Sequence, residues 1–162
     1  MNTTTATIRT MIVDDEVLAR QNVEALLRSD PDIALVAQCN NGTQAVEAIK
    51  QHQPDLLFLD VQMPGMTGFE VLKKLPAASM PQVVFVTAYD HFALQAFEVQ
   101  AVDYLLKPFN RTRFAEALAR AKGAVRSQDK RDLAKRLEEV MVALQKLQEG
   151  VPAEGAATTG KL

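Results

Sequence analysis

"FLDVQMPGMTG", residues 58–68, holds the feature that decides the fold. The apolar run Leu56-Leu57-Phe58-Leu59 stops on one carboxylate, Asp60. The chain then opens into a loop carrying Pro64, Gly65 and Gly68. A short, wholly apolar run reads as a strand covered on both faces. Glycine lets the following loop turn tightly beside the acid without steric cost. If one buried strand ends on an acid, the ends of the others become the next thing to read.

Working outward from residues 55–59, four more short apolar runs appear. Ile8–Val13 ends in Asp14-Asp15-Glu16, and Ile33–Ala37 precedes the turn signal Asn40-Asn41-Gly42. Gln82–Val86 ends at Thr87, and Ala101–Leu106 is followed by Lys107-Pro108. Helical patterns separate these runs. Glu16–Ser29 has Ala19, Val23, Leu26 and Leu27 at helical spacing, and Pro31 closes it. Thr43–His52 places Ala45, Val46 and Ile49 on one face. Thr67–Leu75, His91–Gln100 and a long pattern from Phe109 complete the set. Strict alternation of five strands and five helices predicts an α/β fold, a doubly wound parallel sheet with helices on both faces.

In such sheets ligands bind outside the carboxyl ends of the strands. Those ends carry Asp14 and Asp15, Asp60, Thr87 and Lys107. Converging carboxylates repel one another and call for a hard cation, for which oxygen ligands and waters suit Mg2+. Lys107 adds a point positive charge, and Thr87 can donate to an added anion. Asp60 can act as a nucleophile toward phosphorus, because carboxylates form aspartyl phosphates. Phosphoryl transfer needs positioning, a metal and positive charge more than covalent work from the protein. A lone acid at a strand end is usually a turn or cap residue. The signal lies in the order: acid pair, single acid, threonine and lysine-proline on strands one, three, four and five.

Composition sets the bounds. The chain has 162 residues and a net charge of -2, so gross charge draws it neither to nucleic acid nor to a membrane surface. One cysteine, Cys39, excludes an internal disulfide framework and fits a reducing compartment. No apolar run approaches the length of a membrane span, and the polar N-terminus lacks a signal core, so the expected location is the cytoplasm.

"MIVDDE", "LLFLDVQMPGMTGFEVL", "VVFVTAYD" and "AVDYLLKPF" together resemble the receiver domain of two-component response regulators. The resemblance covers roughly residues 8–122 and implies a flavodoxin-like sheet of order 2-1-3-4-5. It implies that Asp60 is the phosphoacceptor, charged by a histidine kinase or a small phosphodonor. Asp15, Asp60 and the backbone carbonyl of Gln62 would bind Mg2+ directly, with Asp14 acting largely through a metal-bound water. Thr87 and Lys107 would hold phosphoryl oxygens. Tyr104 matches the aromatic switch position that turns inward when Thr87 moves. Gln62 and Tyr89 occupy the positions that tune access of hydrolytic water and hence phosphoryl lifetime. The protein would then be no enzyme beyond assisting its own phosphorylation and dephosphorylation. "TAYDHFALQAFEVQAVDYLLKPF" is similar to receivers joined to LytTR-type DNA-binding domains. That likeness implies a transcriptional output outside this chain, which would touch DNA only through it.

The remaining residues suggest how a signal would leave the domain. Helix His91–Gln100 has too many apolar residues for one buried face, so Phe97 with Ala93 or Ala96 is expected to pack inward. Phe92, with Leu94 or Val99, would be exposed on a homodimer face with the fifth strand and helix, where Asp103, Arg111 and Arg113 add charges. Leu133, Leu137, Val140, Leu144 and Leu147 step by four and three, an a/d seam of about two heptads. Arg126 and Lys130 interrupt it upstream. This stripe either pairs with a second copy or packs back on the domain. The expected organisation is a disordered segment 1–7, a receiver domain 8–122, a helical extension 123–149 and a flexible tail 150–162. Gly123 leaves either one continuous helix or a break there.

Three other readings compete with this one. A stand-alone receiver would act by binding a partner or passing its phosphoryl group onward. An aspartyl phosphatase with a D-x-D motif would need a second acid as proton donor, and Gln62 stands in that place. A flavin-binding relative would need a phosphate loop after the first strand, where Asp14-Asp15-Glu16 would repel a phosphate.

Overall fold

A computed structural model describes residues 6–155, with side chains described through Gln148. The first five positions of the expected disordered segment, and residues 156–162 of the expected tail, lie outside the described residues. The described chain divides into two units between Val125 and Arg126.

The first unit holds a five-stranded, all-parallel sheet in the order β2-β1-β3-β4-β5. Its elements are β1 (Ile8–Val13), α1 (Val17–Arg28), β2 (Ile33–Cys39), α2 (Gly42–His52) and β3 (Leu56–Leu59). Next come α3 (Gly68–Lys73), β4 (Gln82–Thr87), α4 (Ala93–Glu98), β5 (Asp103–Leu106) and α5 (Arg111–Gly155). A short 3-10 turn at Ala77–Ser79, absent from the sequence expectation, links α3 to β4.

Alternation along the strands fills two cores. Met11, Val13, Leu57, Leu59 and Phe85 pack on one face with Ile49 of α2 and Phe69 of α3. Ile12, Leu56, Phe58, Val84 and Leu105 pack on the other with Val23 and Leu27 of α1 and Phe114 of α5. The central strands are therefore apolar on both faces, as read from Leu56–Leu59.

The register places the strand ends side by side. Val13 pairs with Leu59, so Asp14 and Asp60 are neighbours, and the Asp60 N–H donates to the Val13 carbonyl at 2.9 Å. Thr87 pairs with Leu106, and the Lys107 N–H donates to the Thr87 carbonyl at 2.8 Å.

Helix α4 differs from expectation. It spans Ala93–Glu98 rather than His91–Gln100. The Ala101 N–H reaches the Ala96 carbonyl at 3.1 Å, and the Gln100 N–H reaches Phe97 at 3.0 Å. With Gln100 at φ 62, these bonds form a Schellman stop two residues early. The inward residue also differs. Phe97 is 79% exposed, while Ala96 is buried and Phe92 packs half-buried against Phe69, ring centroids 6.0 Å apart. Phe92 and Ala96 stand four apart on one helical face, and Phe97 is turned about 100° away from it. The exposed apolar residues of this region are Leu94, Phe97 and Val99, joined by Leu106 of β5.

Helix α5 is continuous through Gly123, where an added Cβ would meet nothing within 4 Å. It runs to Gly155, into the stretch expected as flexible from 150. In the second unit Leu133, Leu137, Val140, Leu144 and Leu147 are all exposed, as is Met141.

Candidate functional site

The loop that opened the reading shows why its residues are needed. Gly65 has φ +86, a conformation that side chains rarely adopt. At Gly68 a Cβ would lie 2.4 Å from the Asp60 carbonyl oxygen, so only glycine lets α3 start against the Asp60 backbone. Thr67 caps α3 through a reciprocal box. Its hydroxyl accepts from the Glu70 N–H at 3.2 Å, and the Glu70 carboxylate accepts from the Thr67 N–H at 2.8 Å.

A carboxylate oxygen from each of Asp14, Asp15 and Asp60 lies within 4.8 Å of the other two. Asp14 and Asp60 are buried, and Thr87 is fully buried beside them. Lys107 reaches in from the end of β5, and the Lys107–Pro108 bond that follows it is cis. Its Nζ lies 2.8 Å from Asp14, 3.0 Å from Glu16 and 3.5 Å from Asp60. The Gln62 N–H donates to Asp60 Oδ1 at 3.3 Å. A cavity of about 380 Å³ opens over these groups, walled by Asp15, Glu16, Asp60, Gln62, Tyr89 and Lys107. A larger groove of about 790 Å³, between α1 and β2, includes none of the strand-end residues.

Charge is unbalanced here. Burial, followed by repulsion from Asp14, pushes the Asp60 carboxyl up to about 6, against the pull of Lys107, the Gln62 N–H and the Thr87 hydroxyl. Burial alone would lower the Lys107 ammonium, but Asp14, Glu16 and Asp60 outweigh it and raise it above its ordinary value. Three close carboxylates with one ammonium leave a surplus of negative charge, and all the donors are hard oxygens. The residues therefore fit a small divalent cation such as Mg2+.

Other predicted residues fall around this centre. Tyr104 is half-buried, and its hydroxyl donates to the backbone carbonyl of Tyr89, which walls the cavity. The Tyr89 N–H in turn donates to the Thr87 hydroxyl at 3.4 Å. Asp103, expected to offer a cross-subunit pair on a dimer face, is instead taken within its own chain. Arg113 grips it in a fork at 3.0 and 2.7 Å, and Arg120 adds a bond at 2.6 Å. Burial would raise the Asp103 carboxyl, yet the bonds from Arg113, the Tyr104 N–H and Arg120 hold it below its ordinary value. Arg111 is exposed at the start of α5.

Sequence reasoning missed the Glu16–Lys107 and Arg120–Asp103 pairs. Glu16 carried a signal, as the third acid after β1, but its partner lies 91 residues away. Arg120 carried none beyond its spacing of seven from Arg113, two turns along α5.

This site and sheet are those of a known class. The family model of the response regulator receiver domain matches residues 10–119, and the chain belongs to that family. An uncharacterized response regulatory protein of Yersinia pestis is 48% identical over 113 residues, covering 70% of this chain and 48% of that protein. The transcriptional regulatory protein BtsR of Escherichia coli is 43% identical over 122 residues, covering 75% of this chain and 51% of that protein. The chain thus spans about half the length of the curated relatives it matches. Among solved structures, the response regulatory domain of protein mrkE from Klebsiella pneumoniae superposes with a TM-score of 0.68. It is 28% identical, with 74% of this chain and 99% of that one covered. No helix among the described residues is long and apolar enough to cross a membrane.

Proposed function

We propose that this receiver domain takes a phosphoryl group on Asp60 from a histidine kinase, in the cytoplasm, and so switches a transcriptional output. The observation that carries the reading is the meeting of Asp14, Asp15 and Asp60 within 4.8 Å, with Lys107 3.5 Å from Asp60, at the carboxyl edge of the sheet. An Asp60 oxygen forms the bond to phosphorus as the donor's bond to phosphorus breaks. Lys107 and Thr87 take the phosphoryl oxygens that no longer point to solvent. Asp14, Asp15, Asp60 and the Gln62 carbonyl would hold Mg2+, which when bound supplies the positive charge that this cluster lacks. Gln62 and Tyr89 flank the opening through which a hydrolytic water must pass, so they tune phosphoryl lifetime. The protein turns over no separate substrate.

Movement of Thr87 toward the phosphoryl group would pull on Tyr89, whose carbonyl holds Tyr104. That change would reach the face of α4, β5 and α5, with Leu94, Phe97 and Val99 exposed on it. The exposed seam from Leu133 to Leu147 supports pairing with a second copy. The half-length match and the printed name of BtsR support a longer regulator with a DNA-binding output, of LytTR type by the residue 87–109 resemblance.

The test is the solution mass with and without Mg2+ and beryllofluoride, for wild type and Asp60→Ala. Mass doubling only in wild type with the additive is expected. A monomer with beryllofluoride bound at Asp60 overturns the dimer switch and favours a receiver that works through a partner protein. No binding at Asp60 overturns the phosphoacceptor reading itself.

A further inference from the structure

We infer that Glu16 is a positioning residue for Lys107, restraining its ammonium and opposing entry of a phosphoryl group at Asp60. The inference rests on the phosphoacceptor reading above. An ammonium has three donors. At Lys107 they face three carboxylates: Asp14 at 2.8 Å, Glu16 at 3.0 Å and Asp60 at 3.5 Å. The longest of these contacts is the one to the nucleophile.

Asp14 and Asp60 belong to the acid cluster that would hold a cation, and both also contact Lys107. Glu16 is outside that cluster, so its hold on Lys107 persists when a cation satisfies the other two. Its carboxylate is 65% exposed while the Lys107 side chain is 18% exposed, so the acid sits on the solvent side of the ammonium. Glu16 also walls the same cavity as Asp60 and Lys107. An anion entering that cavity meets a negative charge at the mouth and a lysine already engaged. Both effects act against it, and both disappear when the charge is removed.

The side chain has no other task among its described contacts. Glu16 is the N-cap of α1 without a side-chain capping bond, and its backbone N–H donates to Asp14 Oδ1 at 3.0 Å. An isosteric amide leaves both the helix start and that backbone bond in place.

The test is calorimetric titration of beryllofluoride into the full chain at saturating Mg2+, for wild type, Glu16→Gln and Asp90→Asn. Asp90 is exposed next to Tyr89 and has no bond to Lys107 among the described contacts, so it reports the general field alone. Half-saturation is expected to fall about five-fold in Glu16→Gln, the ratio set by an exposed ion pair near the top of its usual range. In Asp90→Asn it should change by less than about two-fold, because exposed charges are screened. Unchanged or weaker binding in Glu16→Gln overturns the inference, as does an equal gain in Asp90→Asn. Absence of binding in wild type instead overturns the phosphoacceptor reading, and the inference with it.

Discussion

Replacing Asp60 by asparagine should stabilise the metal-free protein, and the structure gives the size. The carboxyl stands at about 6 in the fold against an ordinary 3.8, because burial and Asp14 penalise its charged form. Each tenfold change in proton affinity is about 1.4 kcal/mol, so ionised Asp60 costs the native state ~3 kcal/mol at pH 7.5. Asparagine keeps the shape and removes the charge. The sign follows from the direction of the shift. For an acid whose folded value is raised, stability is present in full below 3.8 and is lost as pH rises to about 6. Urea unfolding in a chelating buffer is the assay. Asp60→Asn should exceed wild type by ~3 kcal/mol at pH 7.5, and the gap should shrink to about 1 kcal/mol at pH 4.5, where most wild-type Asp60 is protonated. Added Mg2+ should stabilise wild type far more than the variant, by mass action on the folded state. If the variant is no more stable at pH 7.5, or if the gap is the same at both pH values, the charge imbalance does not exist as described.

Three further outcomes follow from local geometry. Gly68→Ala should cost about 1–3 kcal/mol or more in urea unfolding, since its Cβ must push the Asp60 carbonyl from 2.4 Å, and beryllofluoride binding should weaken with it. Gln100→Gly should leave stability unchanged or raise it by up to about 1 kcal/mol, because Gln100 holds a left-handed cap at φ 62; a loss in thermal unfolding would show that its side chain matters more than its backbone. Asp103→Asn should cost about 1 kcal/mol at pH 7, since its arginine partners are partly exposed and screened. The lowered Asp103 carboxyl contributes stability above its ordinary range that is lost as pH falls through its folded value, so the variant and wild type should converge at low pH.

What could be read from the sequence was whatever obeys a local period. Apolar runs bounded by turn residues gave all five strands, and the rule about carboxyl ends then brought Asp14, Asp60, Thr87 and Lys107 together before any contact was known. Boundaries were less legible. Residues 38–39 extend β2 because Val13 pairs with Cys39 across the sheet, a tertiary bond with no local signature. Ala101 and Val102 read as strand because they are apolar, but Ala101 closes the α4 cap. Phe97 departs from expectation for a related reason. Aromatic size argues for burial, yet the inward face of α4 is the one shared by Phe92 and Ala96, and Phe97 lies about 100° from it. Partners far apart in the chain were illegible altogether. Glu16 and Lys107 lie 91 residues apart, and Lys122 reaches Asp30 across 92.

Strand β5 joins the acid cluster to the surface in a way that can be argued from alternation alone. Successive side chains of a strand point to opposite faces. Tyr104 is tied to Tyr89 at the wall of the cavity, while its neighbour Asp103 is tied to Arg113 and Arg120 of α5. A rearrangement at Thr87 that releases the Tyr104 hydroxyl therefore acts on a strand whose other face is clamped by two arginines. Rotation of Tyr104 is local, whereas displacement of β5 would have to break charge-assisted bonds. The couplings that join distant sites are typically about 1–3 kcal/mol. The penalty on ionised Asp60, from burial first and Asp14 second, is of that size, ~3 kcal/mol by the same proton-affinity conversion. It is enough to turn an aromatic ring held by one hydrogen bond. Opening the Asp103 clamp as well would require the three bonds from Arg113 and Arg120 to break together. The output surface should therefore change at Tyr104 and α4 while β5 and the start of α5 stay fixed. Amide exchange with and without beryllofluoride checks this: protection should change at residues 88–99 and hold at 111–121, and the reverse pattern would place the moving part in α5 instead.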